Sequence, residues 1–156
     1  LHLSIRRQRQ MCIRDRVTDR AGRLLLVQEA VGPAKGRWKL PTGLCEANED
    51  IGTAAAREVR EETGLEVRPA EVLAVRHSHG FHRGVSDVFF CVRCEVIDEG
   101  AVLTPQAGEI ARVGWWTVST APSVAATAWS EWTHGSSCTQ VAARRRRARR
   151  RDAEDI

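Results

Sequence analysis

Glu58, Glu61 and Glu62 stand at positions i, i+3 and i+4 of the stretch Arg57-Glu58-Val59-Arg60-Glu61-Glu62. In a helix this spacing projects three carboxylates from one side as neighbours. Three like charges so close repel one another, and a cation must offset them. Hard carboxylate oxygens gathered in this way suit Mg²⁺ or Mn²⁺ held alongside the phosphates of a substrate. Arg57 lies one turn from Glu61 and is placed to orient its carboxylate by a charge-assisted hydrogen bond. Glu49, ahead of the helix, either orients Arg57 or reaches a metal directly. Ala54, one turn before Glu58, is small enough to admit a phosphate, while Ala55 and Val59 on the adjoining side anchor the helix to a sheet. Taken alone, the same hexapeptide is also an ordinary solvated helix face. Its meaning depends on what surrounds it.

The elements that must position these residues are readable on either side. Residues 50–63 are rich in Ala, Glu and Arg, hold no proline and stop at Gly64, which predicts a helix with a glycine just past its end. The apolar run within 23–29, bounded by Gly22 and Gly32-Pro33, predicts a buried strand followed by a loop. Brief strand character at 38–40 ends at Pro41, and 65–77, 86–97 and 112–118 read as further strands from their Val, Leu, Phe and Trp content. Strands before and after one helix predict an α/β (α+β) sandwich on a mixed sheet, in a single domain.

Gly43, Glu49, Arg57-Glu58-Val59, Glu61-Glu62 and Gly64-Leu65 fit the spacing G-x5-E-x7-R-E-U-x-E-E-x-G-U, with U aliphatic. This pattern resembles the catalytic box of the Nudix hydrolases. Gly36-Arg-Trp-Lys-Leu-Pro-Thr-Gly43 is similar to the W-x-L-P-x-G lead-in of that family, with Thr42 where glycine is commoner. Arg76-His-Ser-His-Gly80 and Ser86-Asp-Val-Phe-Phe90 resemble a subgroup that includes the antisense fibroblast growth factor gene product and plant ADP-ribose/NADH pyrophosphatases. The resemblance covers residues 17–118 and implies an α/β/α sandwich and a Mg²⁺- or Mn²⁺-dependent pyrophosphohydrolase. Its metal ligands would be the Gly43 carbonyl and Glu58, Glu61 and Glu62, with Arg57 and Glu49 orienting them. Glu109 resembles the downstream glutamate that completes the metal site or acts on the attacking water. Trp38, Arg76, His77 and His79 would contact substrate, and His82 belongs to the same histidine-bearing loop. The implied substrate is ADP-ribose or NADH. Oxidised nucleoside triphosphates and capped RNA are alternatives, because the box handles phosphate and metal while other loops read the base.

Composition narrows the classes further. At 156 residues and 42% hydrophobic, the chain suffices for one domain with one core. No run approaches the roughly 20 apolar residues of a membrane span, and no membrane partner is expected. The net charge of +4 is uneven: residues 1–16 carry five arginines against one aspartate, residues 144–156 carry seven against three acids, and the remainder is at −4. Any nucleic-acid binding therefore belongs to the ends. A catalytically inactive protein that binds nucleic acid through Arg144 to Arg151 is a third reading, although an arginine run without interleaved aromatics is usually a solvated tail with weak, non-specific affinity. Five cysteines, odd in number, fit no disulfide framework or zinc spacing. They point to reduced thiols inside the cell, with the cytoplasm the expected compartment and an organelle the alternative. Cys91 and Cys94 form a CxxC, but on a strand residues three apart face opposite ways. A homodimer is an assembly that the sequence leaves open. Residues 11–16, Met-Cys-Ile-Arg-Asp-Arg, resemble a translated sequencing adapter, with an Arg-rich transit peptide as the competing reading. On this reading residues 1–16 are non-native or disordered, the domain begins at Val17 and part of a first strand has been replaced. Residues 119–156, Ala-, Ser- and Thr-rich before the arginines, read as a tail.

Overall fold

The computed structural model describes residues 10–81, 85–117 and 120, with the side chains of 10, 78–81 and 85–86 outside that description. Its elements in chain order are β1 (Gln10–Thr18), β2 (Leu24–Glu29), β3 (Trp38–Lys39), β4 (Thr42–Leu44), α1 (Ile51–Thr63), β5 (Val67–Phe81), β6 (Val85–Val96) and β7 (Ile110–Trp116). Among the described residues the strands form one mixed sheet, in the order β3-β2-β1-β6-β5, with β4 paired to β1 and β7 to β2. The sheet and α1 make the expected α/β sandwich, and the described residues supply one helical layer. Within them, no helix is long and apolar enough to cross a membrane. The readings made for residues 1–9, for His82 and, Thr120 apart, for 118–156 lie outside the described residues.

β1 departs from expectation. Residues 10–16, set apart from the domain in the sequence reading, form the middle of the sheet, and the boundary at Val17 falls inside the strand. β1 pairs with β6 in parallel from Gln10↔Asp87 to Thr18↔Glu95, and with β4 antiparallel through Ile13↔Gly43. The physical reason is a period-two pattern that two arginines and an aspartate obscure. Ile13, Asp15 and Val17 share the face turned to α1, while Cys12, Arg14 and Arg16 share the other. β4 also lacks a propensity signal, since a Thr-Gly-Leu strand forms only because β1 lies beside it.

α1 matches its expected range to within a residue. Asp50 precedes it in an extended conformation, and Gly64 ends it in the left-handed region (φ 75°), donating its N–H to the Arg60 carbonyl. Ala54, Ala55 and Val59 are fully buried against Ile13, Val17, Leu25, Leu65, Val67, Val92 and Cys94. Each fully buried aliphatic of Val or Leu size contributes about 1.5–3 kcal/mol, and this seam fixes the direction in which the helix presents its acids. Ala54 therefore belongs to the core, and the expected opening for a phosphate at that position is not present. Cys91 and Cys94 do face opposite ways, Cys91 opposite Arg14 and Cys94 opposite Val17.

Candidate active site

The burial of the three glutamates follows from the angle each takes on α1. At about 100° per residue, Ala55, Val59 and Glu62 lie within one narrow stripe, Glu58 at its margin and Glu61 beyond it. The side-chain exposures follow the same order: 6% for Glu62, 14% for Glu58 and 43% for Glu61. Glu62 thus occupies a position the apolar stripe would otherwise fill. Burial pushes its pKa up to about 7, against the opposing pull of Lys39 and the Thr42 N–H, and the Glu58 charge adds to the rise.

Each carboxylate is held by groups of the chain itself. Glu58 Oε1 accepts hydrogen bonds from the Leu44 N–H (3.2 Å) and Arg57 Nη1 (2.8 Å). Glu62 Oε2 accepts from the Thr42 N–H (3.1 Å), and Lys39 Nζ lies 3.4 Å from Glu62 Oε1. Arg57 Nη1 also reaches Glu61 Oε2 at 3.3 Å. With the acids turned onto these partners, no three acidic, His or Cys side chains among the described residues already converge as a metal cage.

Arg57 is the hub. Its Nε and Nη2 donate to the two oxygens of Glu49, both at 2.9 Å, and Nη2 donates to the Leu44 carbonyl at 2.8 Å. The hydrogen bonds it donates to Glu49 raise its pKa further above an already high value, and Arg57 in turn lowers that of Glu49. The two-pronged contact is the geometry a planar guanidinium favours. Glu49 also accepts the Glu46 N–H at 3.0 Å, which closes the loop ahead of α1.

Gly43 matters by contact rather than by backbone angle. A Cβ there would lie 1.8 Å from the Glu58 carboxyl carbon and 2.0 Å from both its oxygens. The Glu58 carboxylate therefore rests on the Gly43 Cα, a seat that any side chain would fill. This contact brings the loop and the helix acids to one place, and it is where a hard divalent cation fits the donors present.

The other expected residues are dispersed. Glu109 is exposed in the turn before β7, where its carbonyl accepts the Ala30 N–H at 2.8 Å. Among the described residues no hydrogen bond or ion pair joins it to the helix acids. Trp38 pairs across from Gln28 and packs edge-on against Trp116, with ring centroids 5.1 Å apart. Alternation along β3 puts it on the sheet face away from α1, opposite to Lys39. Arg76 and His77 lie on β5 opposite Phe89 and Val88 of β6, and the His79 backbone is in the same strand.

Two participants carried no sequence signal. Lys39 bridges Glu62 and Glu29, with Nζ 2.5 Å from Glu29 Oε1. Burial works against its charge, but Glu62 and Glu29 more than offset this and raise its pKa. Alternation with Trp38 hints at its direction, whereas Glu29 is brought in only by the pairing of β2 with β3.

The NUDIX domain family matches residues 9–134 of the chain. Nudix hydrolase 6 of Arabidopsis thaliana is 42% identical over 95 residues, which are 59% of this chain and 33% of the relative. A NUDIX hydrolase structure from Nitrosomonas europaea superposes with a TM-score of 0.66 at 27% identity, covering 76% of this chain and 63% of that one. An ADP-ribose pyrophosphatase structure from Streptococcus suis superposes at 0.57 and 27% identity, covering 72% and 77%. The chain spans about a third of the length of the plant relatives it matches.

Proposed function

The chain belongs to the Nudix family, and from that premise we propose that it hydrolyses the diphosphate linkage of a nucleoside diphosphate derivative, ADP-ribose or NADH, with a divalent cation as cofactor. The observation that carries this reading is the seat at Gly43, where the loop backbone meets Glu58 on the helix that also presents Glu61 and Glu62. The Gly43 carbonyl and the three glutamates would hold Mg²⁺ or Mn²⁺. Bound there, the cation supplies neutralisation of the diphosphate and a lowered pKa for the attacking water.

The remaining work falls to the chain's own residues. Arg57, clamped by Glu49, fixes Glu58 and Glu61 so that their oxygens need little reorganisation. The Thr42 N–H fixes Glu62. Glu109 is assigned the proton of the attacking water; its turn is tethered to the end of α1 by the Gln106 N–H on the Glu62 carbonyl at 3.3 Å, and the assignment requires the Glu109 side chain to swing toward the acids. His77 and His79 are the substrate contacts, while Trp38 and Arg76 are set aside, because the registers Arg76↔Phe89 and Cys12↔Phe89 put Arg76, like Trp38, on the sheet face away from α1. A hydrogen-bonded row supports the β5 assignment, running from His77 through Val88 and Met11 to Cys45 in the loop ahead of α1. Three strand spacings, roughly 14 Å, suit a substrate with a nucleoside at one end and a diphosphate at the other. The Streptococcus suis relative, named as an ADP-ribose pyrophosphatase, favours the same substrate.

The test is phosphate-coupled turnover of ADP-ribose, NADH, 8-oxo-dGTP and capped RNA with Mg²⁺, comparing wild type and Glu62→Gln. Metal-dependent cleavage of ADP-ribose or NADH, reduced about 10- to 100-fold by the substitution, is expected. Preference for either other substrate would reassign the specificity. Absence of turnover in a folded sample would overturn the reading.

A further inference from the structure

The acids of α1 are matched by two cations, and the two are held in different ways. Arg57 is locked, with both prongs on Glu49 and a third contact on the Leu44 carbonyl. Its guanidinium cannot leave Glu58 without straining a network that spans the loop and the helix. Lys39 is a compact point charge on a flexible stem, standing between carboxylates from two separate elements. The contact with Glu29 of β2 is 2.5 Å and the one with Glu62 of α1 is 3.4 Å. Its shorter contact therefore lies outside the group of helix acids.

Glu62 is oriented to make this arrangement matter. Its Oε2 is taken by the Thr42 N–H, and its Oε1 is the atom that faces the ammonium. A carboxylate with a side chain only 6% exposed needs a compensating charge. Lys39 supplies it at Oε1, the oxygen that the Thr42 N–H leaves open.

We propose that Lys39 is an internal counter-ion that competes with the divalent cation for Glu62 and so sets the metal affinity of the site, with Glu29 retaining the ammonium when the cation takes Glu62. The inference rests on the proposed assignment of Glu62 to the metal. Glu62 passes from one cation to another, and Lys39 keeps a carboxylate throughout. The result is a site whose helix acids stay compensated before the metal arrives, at the expense of weaker metal binding than three uncompensated glutamates would show.

The experiment is Mn²⁺ binding to the full chain at pH 8, read from the electron paramagnetic resonance signal of free Mn²⁺, with a thermal melt of each variant. Lys39→Met removes the competitor and the nearby like charge together. A unit charge within about 4 Å of an ion, at the effective dielectric of a partly buried site, is worth a factor of ten or more, so about tenfold tighter binding is expected. Glu29→Gln removes the alternative partner, leaves the ammonium wholly to Glu62 and should weaken Mn²⁺ binding severalfold. The opposite signs of two single substitutions are the signature. Unchanged or weaker binding in Lys39→Met overturns the inference alone, as does unchanged or tighter binding in Glu29→Gln. Wild-type protein that binds no Mn²⁺ at a site sensitive to Glu58→Gln overturns the metal assignment and this inference with it.

Discussion

Replacing Asp15 with valine should stabilise the fold, and more so as the pH rises. Asp15 lies on β1 between Ile13 and Val17, on the face packed against α1. It is 0% exposed, and neither of its carboxylate oxygens has a hydrogen-bond partner among the described residues. Burial first, then the charges of Glu62 and Glu58, push its pKa up to about 8. An unfolded aspartate titrates near 3.9. Between those values the unfolded chain has released the proton while the fold still holds it, so stability falls as the pH rises from about 4 to about 8. At roughly 1.4 kcal/mol per pH unit, the loss is on the order of 4 kcal/mol by pH 7. Valine is close to aspartate in size, and its β-branched side chain suits a buried strand. Urea unfolding of both proteins at pH 5, 7 and 8 should give a stability margin for Asp15→Val that grows from about 1–2 kcal/mol at pH 5 to about 4 kcal/mol at pH 7. A margin that stays flat with pH, or a variant less stable than wild type at pH 7, would mean that Asp15 is ionised and paired in the fold, and the reasoning would be refuted.

Gly43→Ala should leave the fold standing, because the flexible end of Glu58 gives way first. Turnover should nonetheless fall about 10- to 100-fold, and a kcat/KM within a few-fold of wild type would show that the seat is not needed. Arg57→Lys loses the two-pronged hold on Glu49 and should cost about 1–3 kcal/mol in chemical denaturation, with a drop in kcat that raised Mg²⁺ does not restore. Gly64→Ala forces a side chain into the left-handed region at φ 75°, with its Cβ 3.1 Å from Thr104 Cβ. A loss of about 1–2 kcal/mol is expected in the same assay. Burial raises the thiols of Cys91 and Cys94 to about 11 and about 12, and they face opposite sides of the sheet. Mapped alkylation at pH 8 should leave both unmodified until denaturant is added, and no disulfide should join them.

Legibility in the sequence followed how local each signal was. α1 could be bounded because its composition, its lack of proline and Gly64 all act within one element, and the helix indeed runs from Ile51 to Thr63. The i, i+3, i+4 relation of the glutamates is equally local, as is the contact of Arg57 with Glu61. The chain could not reveal through propensity that residues 10–16 form the centre of the sheet, because Arg14, Asp15 and Arg16 are poor strand residues held there by β6 and β4. Lys39 with Glu29 was hidden for a related reason. Their meeting depends on the β2–β3 register, which no spacing within either strand encodes. The error at Ala54 came from treating the helix as having separate functional and buried sides. The stripe of Ala55 and Val59 instead runs directly into Glu62.

That overlap carries an argument about how the helix can exist at all. An acid at a core position of α1, next to two more acids, would ordinarily be a liability. The fold answers it with one immobile cation and one exchangeable one. Arg57 joins Glu58 and Glu61 to Glu49 and stiffens the loop, while Lys39 covers Glu62 from β3. Because both cations belong to the chain, seating α1 does not depend on a metal, and removing metal should abolish turnover without unfolding the domain. Asp15 is the exception that defines the rule, being the one fully buried acid near this group that no cation of the described residues reaches by ion pair or hydrogen bond. The stability of the sheet and the chemistry of the helix therefore meet at one electrostatic boundary, with Glu62 on its compensated side and Asp15 on the other.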